Sequence, residues 1–321
     1  MSPLAVTRTL PLDATAAALR TDVAHGLTGS PKTLPPKWFY DARGSDLFED
    51  ITALPEYYPT RAEREILVAR AADVAAATGA RTLIELGSGS SEKTRVLLDA
   101  LTELHTYVPV DVSESALAAA GEALLAERPG LTVHGLVADF QHGLGLPETP
   151  GPRLLAFLGG TIGNLLPAER AGFLRSVRDL LAPGDALLLG TDLVKDEATL
   201  VAAYDDSQGV TAEFNKNVLA VVNRELAADF DLTQFAHRAV WNTEREWIEM
   251  RLRSLKEQTV KIPALDLAVH FDAGEEVRTE VSAKFREDGV RTELKAAGME
   301  LREWWTDEAD RFALSLAVRS R

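Results

Sequence analysis

Cysteine is absent from the 321 residues, which excludes disulfides, thiolate metal ligation, iron–sulfur clusters and cysteine nucleophiles together. Positive charge is also short: Lys+Arg is 34 against Asp+Glu 49, a formal net charge of −15. Such a field repels a phosphate backbone, and no run of Lys and Arg offsets it, so no nucleic-acid partner is expected. Long apolar stretches are missing too. The run Ala186–Gly190 is far too short to span a bilayer, and no membrane role is expected. Met1–Leu12 lacks a basic flank followed by an apolar core, so no secretory leader is expected. The histidines (His25, His105, His134, His142, His237 and His270) show no i, i+3 or i, i+4 pairing, and no metal site is expected. A nucleophile elbow is lacking as well, since Gly87-Ser88-Gly89 has the wrong spacing for G-x-S-x-G. The remainder, 46% hydrophobic and 26% charged, is the mix of a folded globular chain. An acidic, soluble, cytoplasmic protein of about two domains is the expectation.

The middle third alternates strand and helix patterns. Strands are expected at Thr82–Leu86, Thr106–Val110, Leu131–Val137, Arg153–Leu158 and Ala186–Leu189. Helices are expected at Glu92–Leu104, Ser113–Arg128 and Ala168–Leu181, the last ended by Pro183-Gly184. That alternation specifies an α/β fold with a doubly wound parallel sheet. After a helix near Val290–Ala297, two strand patterns, Met299–Trp305 and Arg311–Arg319, are joined by only Thr306–Asp310. So short a link cannot make a parallel crossover, so the sheet must end in an antiparallel hairpin. This ending is similar to the Rossmann-like class I S-adenosylmethionine-dependent methyltransferases. Residues 1–60, with a helix pattern at Ala14–Leu27, and residues 197–285, with a helix at Thr211–Leu226 and a strand at Trp247–Leu252, are expected outside this sheet.

The first strand of the alternation runs into Gly87-Ser88-Gly89-Ser90-Ser91-Glu92-Lys93. A dinucleotide fingerprint would need a third glycine where Glu92 stands, and its carboxylate would repel a pyrophosphate. The loop suits a ligand without phosphates, such as the amino-acid tail of S-adenosylmethionine; a tight turn that binds nothing is the alternative. Asp111 at the end of the second strand suits ribose hydroxyls, and Asp139-Phe140 after the third suits an adenine edge and face. Each aspartate alone could be a helix cap. Three such features on successive strand ends favour S-adenosylmethionine, which becomes S-adenosylhomocysteine on methyl transfer. The fourth strand enters Gly159-Gly160-Thr161-Ile162-Gly163-Asn164, where Asn164 offers both a donor and an acceptor to an amino acid, or caps the next helix.

Longer motifs add a family resemblance. They include Lys37–Asp41 with Gly44–Phe48, Leu54–Arg61, Glu85–Gly89 with Ser91–Arg95, Gly159–Asn164, Gly190–Asp196, Ala203–Asp206, Phe214–Glu225, Gly274–Glu276 and Thr279–Phe285. Together the chain closely resembles the histidine-specific N-α-methyltransferases of ergothioneine biosynthesis, which form hercynine, over nearly all residues after 12. Departures from the pattern are small, at Ser90 and Gly160.

The resemblance implies that Tyr57, Asn164 and Tyr204 surround the substrate's amino-acid end and act as catalytic residues. It implies that Met250 packs near the imidazole, that Glu280 and Ser282 hydrogen-bond its nitrogens, and that Tyr40 and Phe48 close the pocket. Gly87, Gly89, Lys93, Asp111, Asp139, Phe140 and Gly159 are the expected cofactor contacts. Residues 61–196 with 286–321 are expected to bind the cofactor, and residues 12–60 with 197–285 the substrate. The expected partner is free L-histidine, and the expected working form a monomer. A methyltransferase for another small amine or aromatic amino acid, or a non-catalytic sensor of the cofactor, remains open at this level.

Overall fold

A computed structural model describes residues 4–11, 13–89, 93–139 and 145–320. The chain divides into two compact units: Met1–Pro11, Pro59–Leu193 and Phe285–Arg321 form the first, Leu12–Tyr58 and Val194–Lys284 the second.

The first unit is built on eight strands among the described residues: β1 (Leu4–Arg8), β2 (Thr82–Leu86), β3 (Thr106–Asp111), β4 (Thr132–Val137), β5 (Arg153–Phe157), β6 (Ala186–Asp192), β7 (Met299–Thr306) and β8 (Phe312–Arg319). Their order in the sheet is β1-β4-β3-β2-β5-β6-β8-β7. Neighbours are parallel from β1 to β6, and β8 joins β6 and β7 antiparallel, as the short C-terminal link requires. Every residue of β2 and β6 is buried, which is why each carries a short apolar run, Leu83-Ile84 and Ala186–Leu189, alongside the polar Glu85 and Asp192. Asp307 closes the hairpin: its buried Oδ1 accepts the Arg311 and Phe312 amides at 2.6 and 2.8 Å. Edge strand β7 carries an irregularity between Leu301 and Glu303, a common device against edge-to-edge pairing.

Three segments differ from expectation. Residues 4–8 belong to the sheet, pairing flush with β4 from Leu4–Val133 to Arg8–Val137. As a largely exposed edge strand they carry no alternation to detect. Helix Pro59–Thr78 gave no signal because alanine carries much of its buried stripe, with Ala62 and Ala71 alongside Ile66, Leu67 and Val74. The helix after β2 spans Thr94–Ala100, shorter than the Glu92–Leu104 pattern, because Leu101 leaves helical geometry.

The second unit holds a four-stranded sheet in the order Lys32–Thr33, Glu276–Ala283, Trp247–Ser254, Phe235–Asn242. Glu280 pairs with Met250 and Ser282 with Ile248, next to a register shift between Arg278 and Glu280. Directly paired residues share a face, so Glu280, Met250, Ser282 and Ile248 lie together. Helix Val210–Leu226 packs against the strands Phe235–Asn242 and Trp247–Ser254, with Val218 and Val222 fully buried. Helix Ala42–Ala53 starts at Asp41, whose Oδ1 accepts the Gly44 amide at 2.8 Å and the Asn217 amide at 2.7 Å. Gly44 has no substitute there, because a Cβ would overlap the Phe39 carbonyl oxygen.

Glu85, on β2, sits in the core of the first unit. Its Oε2 accepts hydroxyls of Thr94 and Tyr107, each at 2.5 Å. Burial nonetheless pushes its carboxyl from 4.5 up to about 7, against those bonds and the Lys93 charge. The folded chain therefore keeps a proton that the unfolded chain releases, and the Glu85 contribution to stability falls as pH rises from about 4.5 to about 7. Glu85→Gln should flatten that part of the curve. In urea titrations the parent should lose on the order of 3 kcal/mol relative to the variant across the interval. Parallel curves would mean that Glu85 is ionised in the fold.

Candidate active site

The strand ends of the first unit assemble the cofactor candidates. Gly87 and Gly89 have φ of +68° and +49°, a left-handed turn that glycine adopts without strain. The Gly87 amide donates to Val110 O at 2.8 Å, and the Gly89 amide to Asp111 Oδ2 at 3.3 Å. Open space lies where a Gly89 side chain would project, so a ligand can lie on that backbone. Asp111 also accepts the Ser113 amide at 3.0 Å, which orients its carboxylate at the end of β3. Asp139 stands half-buried two residues past β4; Phe140 lies outside the described residues. Gly159 and Gly160 form a second left-handed turn after β5, with φ of +75° and +68°. The Gly159 amide donates to Glu63 Oε1 at 2.7 Å, and Lys93 is ion-paired with Glu63 Oε2. Backbone turns, carboxylates and one ammonium fit the parts of S-adenosylmethionine: a zwitterionic tail, a diol and an adenine edge.

Asn164 closes the 3₁₀ turn Thr161–Asn164 in this unit. It is not the cap of helix Pro167–Leu180. That position is Leu166, whose amide is taken by Glu169 Oε2 at 2.8 Å. Among the described residues the half-buried Asn164 amide has no hydrogen-bond partner.

The other substrate candidates lie in the second unit. Tyr40, Phe48, Tyr57 and Tyr204 form a chain of rings: Tyr40–Phe48 5.6 Å, Phe48–Tyr57 6.1 Å and Tyr57–Tyr204 6.4 Å between centroids, all edge-on. Phe214 backs Tyr40 and Phe48 at 5.4 and 5.9 Å. The Tyr204 hydroxyl is 2.7 Å from Ser282 Oγ, and buried Lys284 donates to both oxygens, at 2.9 and 2.8 Å. Glu280 is 8% exposed, and no hydrogen-bond donor reaches its carboxylate among the described residues. Burial pushes its carboxyl from 4.5 up to about 8, with the Lys284 ammonium pulling the other way.

A profile of the family described as "Histidine-specific methyltransferase, SAM-dependent" matches residues 19–319. The chain belongs to that family. It is 58% identical over 319 residues to the histidine N-alpha-methyltransferase of Mycolicibacterium smegmatis, covering 98% of this chain and 99% of that one. The ergothioneine biosynthesis protein 1 of Neurospora crassa is 31% identical over 306 residues, covering 91% of this chain and 34% of that longer protein. Among solved structures, an S-adenosylmethionine-dependent methyltransferase from Clostridium acetobutylicum aligns with a TM-score of 0.50 at 11% identity, over 86% of this chain and 99% of that one, a likeness of fold.

Within this methyltransferase, two sets of supporting residues escaped sequence reasoning. His237 Nε2 donates to the Tyr204 carbonyl at 2.8 Å, while Nδ1 accepts from Asn215 at 2.8 Å, and Asn215 Oδ1 accepts the Thr279 hydroxyl at 2.6 Å. Burial holds the His237 pKa below its usual value, keeping the neutral ring that this direction of donation requires. The three residues lie far apart in sequence, and no spacing ties them. Lys284 lies within a motif of the family resemblance, whereas Glu63 left no trace because the helix that carries it shows no clear apolar pattern.

Lys284 lowers the Glu280 carboxyl, so Lys284→Met should raise its midpoint above about 8. Carbon-13 NMR of labelled glutamate would follow that titration. A midpoint that stays or falls would mean that the ammonium does not act on Glu280.

Proposed function

We propose that this chain transfers methyl groups from S-adenosylmethionine to the α-amino nitrogen of L-histidine, three times in succession, giving hercynine in the first step of ergothioneine biosynthesis. The observation that carries the substrate assignment is Glu280, a buried carboxylate without a donor among the described residues, beside the Ser282–Tyr204 hydroxyl pair. An imidazole N–H supplies that donor, Ser282 meets the second ring nitrogen, and Met250 lies against the ring. A phenyl ring would leave the carboxylate unpaired, a larger penalty than a difference in apolar contact can impose.

Tyr57, Tyr204 and Asn164 would serve the amino-acid end, Asn164 with one donor and one acceptor for the amine and carboxylate. Tyr40 and Phe48 would complete the aromatic wall. Gly87, Gly89, Lys93 and Gly159 would cradle the cofactor tail, Asp111 the ribose, and Asp139 with Phe140 the adenine. When bound, S-adenosylmethionine supplies a methyl group activated by a sulfonium. The residues must present a neutral amine in line with that methyl, so positioning supplies most of the acceleration. In each transfer an N–C bond forms as the S–C bond breaks, leaving a neutral thioether. The nitrogen loses a proton to restore its lone pair before the next round. After the third no lone pair remains, and the reaction stops. The quaternary product suits the aromatic faces of Tyr57 and Tyr204. The same reading takes a cytoplasmic monomer as the working form.

Asn164→Ala should lower kcat/KM for histidine more than tenfold, about 1.4 kcal/mol of transition-state stabilisation. Calorimetric affinity for S-adenosylhomocysteine should stay as it was; turnover within about threefold of the parent would remove Asn164 from the site. Above the Glu280 midpoint of about 8, Glu280→Ala should cost histidine about 1.5–3 kcal/mol, roughly 10- to 150-fold in affinity, and less at neutral pH, where binding must first release the Glu280 proton. It should also raise kcat/KM for tryptophan relative to histidine. An unchanged ratio between the two amino acids would place the imidazole elsewhere.

A further inference from the structure

Helix Pro59–Thr78 carries one charged residue sealed in its buried stripe. Glu63 has no exposure, and both of its oxygens are engaged, Oε1 by the Gly159 amide at 2.7 Å and Oε2 by the Lys93 ammonium. Gly190, on β6, abuts the same carboxylate, and a Cβ at that position would overlap Oε1. Burying a carboxylate is unfavourable unless partners compensate, so what it holds is informative. Lys93 occupies the position before helix Thr94–Ala100, at the far end of the glycine loop that follows β2. Gly159 is the left-handed turn after β5. Open α/β sheets bind ligands at the carboxyl ends of their strands, and Glu63 ties two adjacent ends together from below. The Lys93 side chain keeps 26% exposure while its ammonium is tethered to Glu63. Among the described residues Glu63 alone accepts from it, leaving N–H groups for a ligand carboxylate.

We propose that Glu63 is a positioning residue for the amino-acid tail of the cofactor, acting through Lys93 and the Gly159 amide and leaving the adenosine half untouched. The proposal rests on the reading that Lys93 contacts the cofactor tail. Glu63→Gln is a selective probe. Its amide oxygen still accepts from Gly159, but its nitrogen faces the Lys93 ammonium as a second donor and releases it. Gly190→Ala displaces the carboxylate while keeping every charge in the chain.

The test is calorimetric binding of two ligands to the full chain: S-adenosylhomocysteine, and 5′-methylthioadenosine, which shares the adenosine but has no amino-acid tail. Glu63→Gln and Gly190→Ala should each weaken the first by about tenfold or more, the effect of losing a charged hydrogen bond, and leave the second within about twofold. Lys93→Met should show the same selectivity. Equal losses for both ligands would make Glu63 a support of the fold only and overturn the proposal. A selective loss in Lys93→Met with none in the Glu63 and Gly190 variants would also overturn it, with the cofactor reading intact. If Lys93→Met leaves both ligands unaffected, the cofactor reading of Lys93 fails and the proposal falls with it.

Discussion

A carboxyl group held out of water with no hydrogen-bond donor among the described residues is an unfavourable thing for a protein to build, and the sheet of the second unit carries one at Glu280. Isolated burial of such a charge costs several kcal/mol even after relaxation. Glu280 meets that penalty in two ways. Its pKa rises to about 8, so the acid holds a proton at neutral pH, and the Lys284 ammonium limits the rise. The neighbouring geometry serves the same end. The register shift beside Glu280 frees the Thr279 hydroxyl to donate to Asn215 and to the Met250 carbonyl, at 2.6 and 3.0 Å. Through Asn215 and His237 that network reaches the backbone of Tyr204, whose hydroxyl returns to Ser282 and Lys284. Satisfied polar networks in a low dielectric are rigid, and this one fixes the tyrosine beside the carboxylate.

The first unit treats its buried acids differently. Glu85 accepts two hydroxyls and Glu63 an amide and an ammonium, so both have partners before any ligand arrives. What that unit offers a ligand is mostly backbone: left-handed glycine turns after β2 and β5, and aspartates near the ends of β3 and β4. Such a site needs little side-chain chemistry, because a cofactor whose methyl is already activated asks chiefly to be placed.

Legibility in the sequence followed the same division. The parallel strands could be read because Thr82–Leu86 and Ala186–Asp192 are buried on both faces and carry short apolar runs, Leu83-Ile84 in the one and Ala186–Leu189 in the other. The closing hairpin followed from the length of its link. Residues 4–8 could not be read, since an exposed edge strand imposes no pattern, and helix Pro59–Thr78 was hidden by the alanines in its stripe. Of the site, the glycine turns and strand-end aspartates were open to inference from spacing. Tyr57, Met250, Glu280 and Ser282 were not, because sheet pairing and ring packing join residues that lie far apart along the chain; only the family resemblance pointed to them. Of the His237–Asn215–Thr279 relay, Asn215 and Thr279 fall within motifs of the family resemblance, but no spacing ties them to His237 or to each other.

Protonation of Glu280 also bears on which ring the proposed site would accept. A ring that donates an N–H favours the ionised carboxylate, so its binding is coupled to loss of the Glu280 proton. One pH unit below a pKa of about 8, that coupling opposes binding by only about 1.4 kcal/mol. A charge-assisted hydrogen bond contributes about 1.5–3 kcal/mol and outweighs it. An apolar ring meets the protonated acid instead, whose hydroxyl then has no acceptor, and the ring offers nothing in return. On the proposed reading the penalty therefore falls on the wrong ligand rather than on the protein itself. Discrimination of this kind needs a site that lacks one donor, and that reading would account for an acid at position 280 where a leucine would pack at no electrostatic cost.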